Sequence, residues 1–109
     1  MSRDEWLGVQ RDGVFHGAAH DRRGGFIHFS SAEQLASTLR AHYSGQRDLL
    51  VLYVRLEVIE PPSAWRFEAA RDGALFPHLY APLPAAAVHR IEPLALDARG
   101  DHVLPALDA

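Results

Sequence analysis

The chain has 109 residues, 48% of them hydrophobic and 23% charged, the balance of a folded domain and not of a disordered tail. A chain this short buries only about two-thirds of its unfolded surface, which excludes a second independent core. A formal net charge of −3 argues against bulk binding to nucleic acid, and the lack of cysteine removes disulfides and thiolate zinc sites.

The opening Met1-Ser2-Arg3-Asp4-Glu5 leads into no apolar run of the signal-peptide kind. No stretch approaches the roughly 20 apolar residues of a membrane span, so the expectation is a cytoplasmic protein without membrane contact. Ser2 followed three residues later by Glu5 has the capping-box form, and Gly13 is a natural stop, which predicts a helix over 3–12. From Val14 to Gly25 the sequence has glycines, charges and no period. It reads as a loop with a short extended piece at Val14-Phe15.

Phe26-Ile27-His28-Phe29, bounded by Gly24-Gly25 and Ser30-Ser31, reads as a strand. Two overlapping capping boxes follow, Ser30 with Glu33 and Ser31 with Gln34. Leu35, Leu39 and Tyr43 then recur at helical spacing up to Gly45, predicting a helix over 31–44. Its first turn would lie beside His28 and Ser30, where free N–H groups attract anions. Leu49–Leu56 predicts a central strand and Trp65-Arg66-Phe67-Glu68 another, with Arg66 and Glu68 on one face. Arg71-Asp72-Gly73 predicts a turn. Ala74–Tyr80 is too interrupted by proline for a central strand and too aromatic for an exposed loop. Residues 87–91 predict a closing strand, and 93–109 a C-terminal tail that docks or stays mobile. The whole is an α+β fold with one domain over residues 3–92.

Two histidines stand out. His28 sits inside an apolar strand with Ser30 on the same side, either as a core histidine bonded to a backbone carbonyl or as a ligand-facing donor. His78, in Phe76-Pro77-His78-Leu79-Tyr80, sits on backbone stiffened by prolines, either closing a core or presenting His78 and Tyr80 to a site. Glu68 either pairs with Arg66 in solvent or faces a cleft, where it could orient a ribose hydroxyl or act as a general base. No pair of histidines or acids sits at a metal-ligating spacing on one element, so no metal site is assigned. P-loop, dinucleotide-binding, zinc-protease and nucleophile-elbow motifs are absent.

Gly24–Leu35 with its His28-Phe29-Ser30 core, the Leu49–Leu56 strand, Arg66-Phe67-Glu68 and Leu75–Leu83 resemble, in order and spacing, the bacterial family known as domain of unknown function nine-five-two. The resemblance spans roughly residues 4–92. That family is grouped by remote similarity with the ADP-ribosyltransferase-like fold. His28-Phe29-Ser30, the following helix, Leu49–Val54 and Phe67–Phe76 also look like the corresponding series in RNA 2′-phosphotransferases.

The resemblance implies a small split β-sandwich with two helices and a cleft for NAD, ADP-ribose or a related nucleotide. His28, Ser30 and Tyr80 would contact the ligand, with Glu68 and His78 as the catalytic pair of a transferase. Family members open with an additional strand that this sequence does not show, which implies an unpaired sheet edge and a homodimer formed through it. The arginine signatures of the phosphotransferases are absent too, so a non-catalytic small-molecule or protein-binding module on the same fold is the alternative.

Overall fold

The computed structural model describes residues 1–70 and 72–105. It is an α+β arrangement of three short α-helices, two three-stranded sheets and a two-stranded ribbon. Helix α1 (Arg3–Asp12) starts as the spacing predicts: the Glu5 amide donates to Ser2 Oγ at 3.0 Å, and the Ser2 amide donates to Glu5 Oε1 at 2.8 Å. Gly13, at φ +81°, takes the left-handed turn that ends it. Strand β1 (Val14–Phe15) then pairs with β6 (Leu83–Pro84).

The stretch read as a loop contains helix α2 (Ala19–Gly24), which makes three helices where two were expected. Six residues are too few to show an apolar period, and the N-cap, Ala18, has no side-chain acceptor. The Asp21 carboxylate supplies the cap instead, its Oδ2 accepting the Ala18 amide proton at 2.8 Å. Strand β2 (Ile27–His28) is shorter than predicted. Helix α3 (Leu35–His42) begins as a tight turn over Ala32–Gln34, with Gln34 Oε1 accepting from the Ser31 amide at 2.9 Å.

Strand β3 (Leu49–Val54) pairs antiparallel with β7 (Val88–Leu96), and Leu39 of α3 packs on Leu49 and Leu94 with Leu35, Tyr43 and Val51 around them. Met1 and Arg3 bond the chain at the start of β3: the Leu50 amide donates to Met1 O at 2.8 Å and the Arg3 amide to Asp48 O at 2.9 Å. Beyond Pro93 the described part of the chain packs back on the body. β7 runs on to Leu96, turns through Asp97–Asp101, and returns as β8 (His102–Val103). Asp97 organises this turn, its Oδ1 accepting the amides of Arg99 and Asp101. The readings for Arg71 and for residues 106–109 lie outside the described residues.

The second sheet has the order β2-β5-β4, with β4 (Trp65–Ala69) and β5 (Leu75–Leu79) as a hairpin. Strand β5 is therefore central despite Pro77. Register explains the tolerance. The Phe29 amide donates to Pro77 O at 3.0 Å, so the position of the missing N–H points the same way, past the end of β2, while the ladder to β4 stays whole. Leu79, fully buried, anchors the main core with Ile27, Ile59, Ala64, Leu83 and Ala87. Among the described residues no helix is long and apolar enough to cross a membrane.

Candidate functional site

In the β2-β5-β4 sheet His28 lies opposite His78, and His78 lies opposite Arg66. Residues at one register share a face, so these three form a row across the sheet with Glu68 and Tyr80 beside it. The ring centroids of His28 and His78 are 5.4 Å apart, edge to face at 65°. Neither ring is sealed away: the His28 side chain is 33% exposed and that of His78 12%.

Each imidazole is held by its own carboxylate. His28 Nδ1 lies 2.8 Å from Asp21 Oδ1, and His78 Nδ1 lies 2.9 Å from Glu68 Oε1. A carboxylate can only accept, so both Nδ1 atoms carry the hydrogen. The tautomer is thereby set, and each Nε2 is left as the ring's lone-pair nitrogen. A neutral ring in this state can take a proton or accept a hydrogen bond at Nε2. A protonated one can give that proton back. Two such rings on adjacent strands can do both within one site.

Asp21 is the better buried of the two acids, 9% exposed as a residue. Besides the Ala18 amide and the His28 ring, it accepts the His28 amide at 3.1 Å. Gly17 makes room for it. A Cβ there would stand 2.9 Å from Asp21 Cβ, and φ is +99°. Glu68 differs in that its Oε1 serves two donors, the His78 ring and the Tyr80 hydroxyl at 2.5 Å. These bonds, Tyr80's first and then that of His78, hold the Glu68 carboxyl below its ordinary range, and the same bond to Glu68 pushes the Tyr80 phenol up. Both bonds fall on Oε1, so Glu68 orients the His78 ring and the Tyr80 hydroxyl through a single oxygen.

Of the residues singled out from sequence, the structure brings His28, His78, Glu68 and Tyr80 together. Ser30 is drawn aside: its hydroxyl lies 2.8 Å from Thr38 Oγ1 on α3. Arg66 forms no ion pair with Glu68. Its guanidinium carbon sits 5.1 Å from the centroid of the Tyr80 ring, covering one aromatic face.

Sequence reading gave three members no role. Phe26 stacks on His78 at 4.0 Å and lies 4.5 Å from His28 and 5.2 Å from Tyr80, forming an aromatic cap over the pair. His20 stacks on His28 at 4.3 Å, with His42 of α3 behind it at 5.9 Å. Asp21 carried one usable signal, an acid at the third position of a helix start after Ala18. Among the described residues no group of three histidines or acids is placed to hold a metal ion. Behind Phe26 opens a hollow of about 280 Å³, lined by His16, Asp21, Arg22, Phe26, Ala81 and Pro82 among others.

The chain matches the family described as Protein of unknown function (DUF952) over residues 1–91, and it belongs to that family. Among solved structures it is similar to the crystal structure of protein CC0527 from Caulobacter crescentus. The two are 41% identical over 94% of this chain and 89% of the other, with a TM-score of 0.87. The solution NMR structure of the same Caulobacter crescentus protein is 42% identical over 93% of this chain and 85% of that one, with a TM-score of 0.80. No curated protein matches the chain.

Proposed function

We propose that this protein binds a nucleotide of the NAD or ADP-ribose class on the face where β2 and β5 meet, and that His28 and His78 serve the ligand through their Nε2 atoms. The observation that carries the reading is the facing pair of imidazoles, each fixed by a separate carboxylate, with both Nε2 atoms left for a ligand. The sequence likeness of His28-Phe29-Ser30 and the elements after it to the RNA 2′-phosphotransferases, which implies an ADP-ribosyltransferase-like fold, leads to the same ligand class. Ribose hydroxyls and phosphate oxygens are the partners such nitrogens recognise. In a transferase His78, positioned by Glu68, would move the proton of the reacting hydroxyl, and Tyr80 would hold Glu68 charged.

Thermal unfolding with NAD, ADP-ribose and nicotinamide tests the reading. At a hundredfold excess over the dissociation constant a ligand adds about 2.7 kcal/mol of stability, a shift of several degrees. Shifts with NAD and ADP-ribose that disappear in His28→Ala and His78→Ala support it. No shift with any nucleotide removes it. The alternative, a non-catalytic binding module, gives the same shifts without release of nicotinamide from NAD.

A further inference from the structure

Resting on this nucleotide reading, we infer that the hollow behind Phe26 is the subsite for one planar heteroaromatic base, with the adjoining phosphate held at its rim by Arg22. The hollow's composition is divided. Ile27, Leu79, Ala81 and Pro82 make an apolar floor, and Phe26 supplies an aromatic wall. Bases stack on such walls with little regard to sequence. The rim carries His16 and Arg22.

Arg22 is set for an anion. Its Nε donates to Gly17 O at 3.2 Å, which fixes the plane of the guanidinium, and among the described residues its terminal nitrogens carry no partner. The one lining carboxylate, Asp21, is occupied by the Ala18 amide and by the amide and ring of His28. Size limits the occupant. At about 280 Å³ the hollow falls just below the roughly 300–1,000 Å³ of complete small-molecule sites, so it takes one end of a dinucleotide and not the whole. Phe26 lines the hollow on one side and stacks on His78 on the other.

Titration calorimetry with AMP, adenosine, NAD and inorganic pyrophosphate, on wild type, Ala81→Leu and Arg22→Gln, tests the assignment. Ala81→Leu fills the floor and is expected to raise the dissociation constants of adenosine, AMP and NAD at least tenfold while sparing pyrophosphate. Arg22→Gln removes the rim charge and is expected to weaken AMP by about tenfold and adenosine hardly at all. Amide NMR of the wild type with adenosine guards against a variant that fails to fold: shifts at His16, Arg22 and Ala81 support the subsite, and shifts elsewhere overturn it. If NAD binding is lost in His28→Ala but unchanged in both hollow variants, the subsite falls and the nucleotide reading stands. If neither these four probes nor ADP-ribose binds wild type, both fall.

Discussion

His28 and His78 face each other across adjacent strands, and their ring centroids lie 5.4 Å apart although fifty positions separate them in the chain. Each ring is oriented by a carboxylate from a different element, Asp21 from α2 and Glu68 from β4. The two halves of the site can therefore be perturbed separately.

Asp21→Ala leaves two backbone amides and an imidazole without their acceptor in a largely buried place. The expected cost is about 2–4 kcal/mol in urea unfolding. Nitrogen-15 NMR of the imidazoles should show His28 losing its fixed Nδ1–H tautomer while His78 keeps its own. An unchanged His28 spectrum would separate the ring from this carboxylate.

Glu68 gives a pH dependence with a definite sign. Its carboxyl is held below the ordinary 4.5 by the Tyr80 and His78 bonds, so its contribution to stability is present above that pH and fades as pH falls toward the lowered value. Glu68→Gln should flatten the acid-side decline of the melting temperature below pH 4.5. Tyr80 behaves oppositely. Its phenol is raised above 10.0 by the bond to Glu68, so that stabilisation holds below pH 10 and is lost as pH climbs through the raised value. Absorbance titration of the tyrosines should move one ionisation to lower pH in Glu68→Gln, and superimposable curves would refute the bond.

Phe26→Ala uncovers the ring it stacks on. His78, only 12% exposed at its side chain, should react faster with diethyl pyrocarbonate once the phenyl is gone, with His28 gaining less. Peptide mapping of the modified histidines reads the outcome. Equal rates in wild type and variant would mean that the phenyl does not limit access.

Ser30→Ala tests whether Ser30 contacts the ligand. Because the hydroxyl is bonded to Thr38, the change should cost roughly 1 kcal/mol of stability and leave nucleotide binding within about twofold of wild type. A large loss of binding with unchanged stability would restore Ser30 to the ligand's surroundings.

Local chemistry was legible where the determinants are neighbours in sequence. The Ser2–Glu5 box, the Leu35-Leu39-Tyr43 face and the apolar run of β3 announce their elements directly. The common face of His28 and His78 followed from two motifs and a fold resemblance. Partnerships set by register did not. Arg66 and Glu68 look like a pair by spacing, yet β5 brings His78 and Tyr80 to Glu68, and Tyr80 draws Arg66 onto its ring. Pro77 forbids a central strand only if the neighbouring strand continues, and β2 stops just before that point. Helix α2 depends on a carboxylate inside its own first turn, a cap that no residue ahead of the helix reveals.

The same Asp21 side chain begins a helix and steers an imidazole. Unwinding of α2 moves that carboxylate, and so takes the acceptor away from the His28 ring and amide as well. Solvent hydrogen should replace the protons on the Ala18 and His28 amides at a common rate, set by a single shared opening.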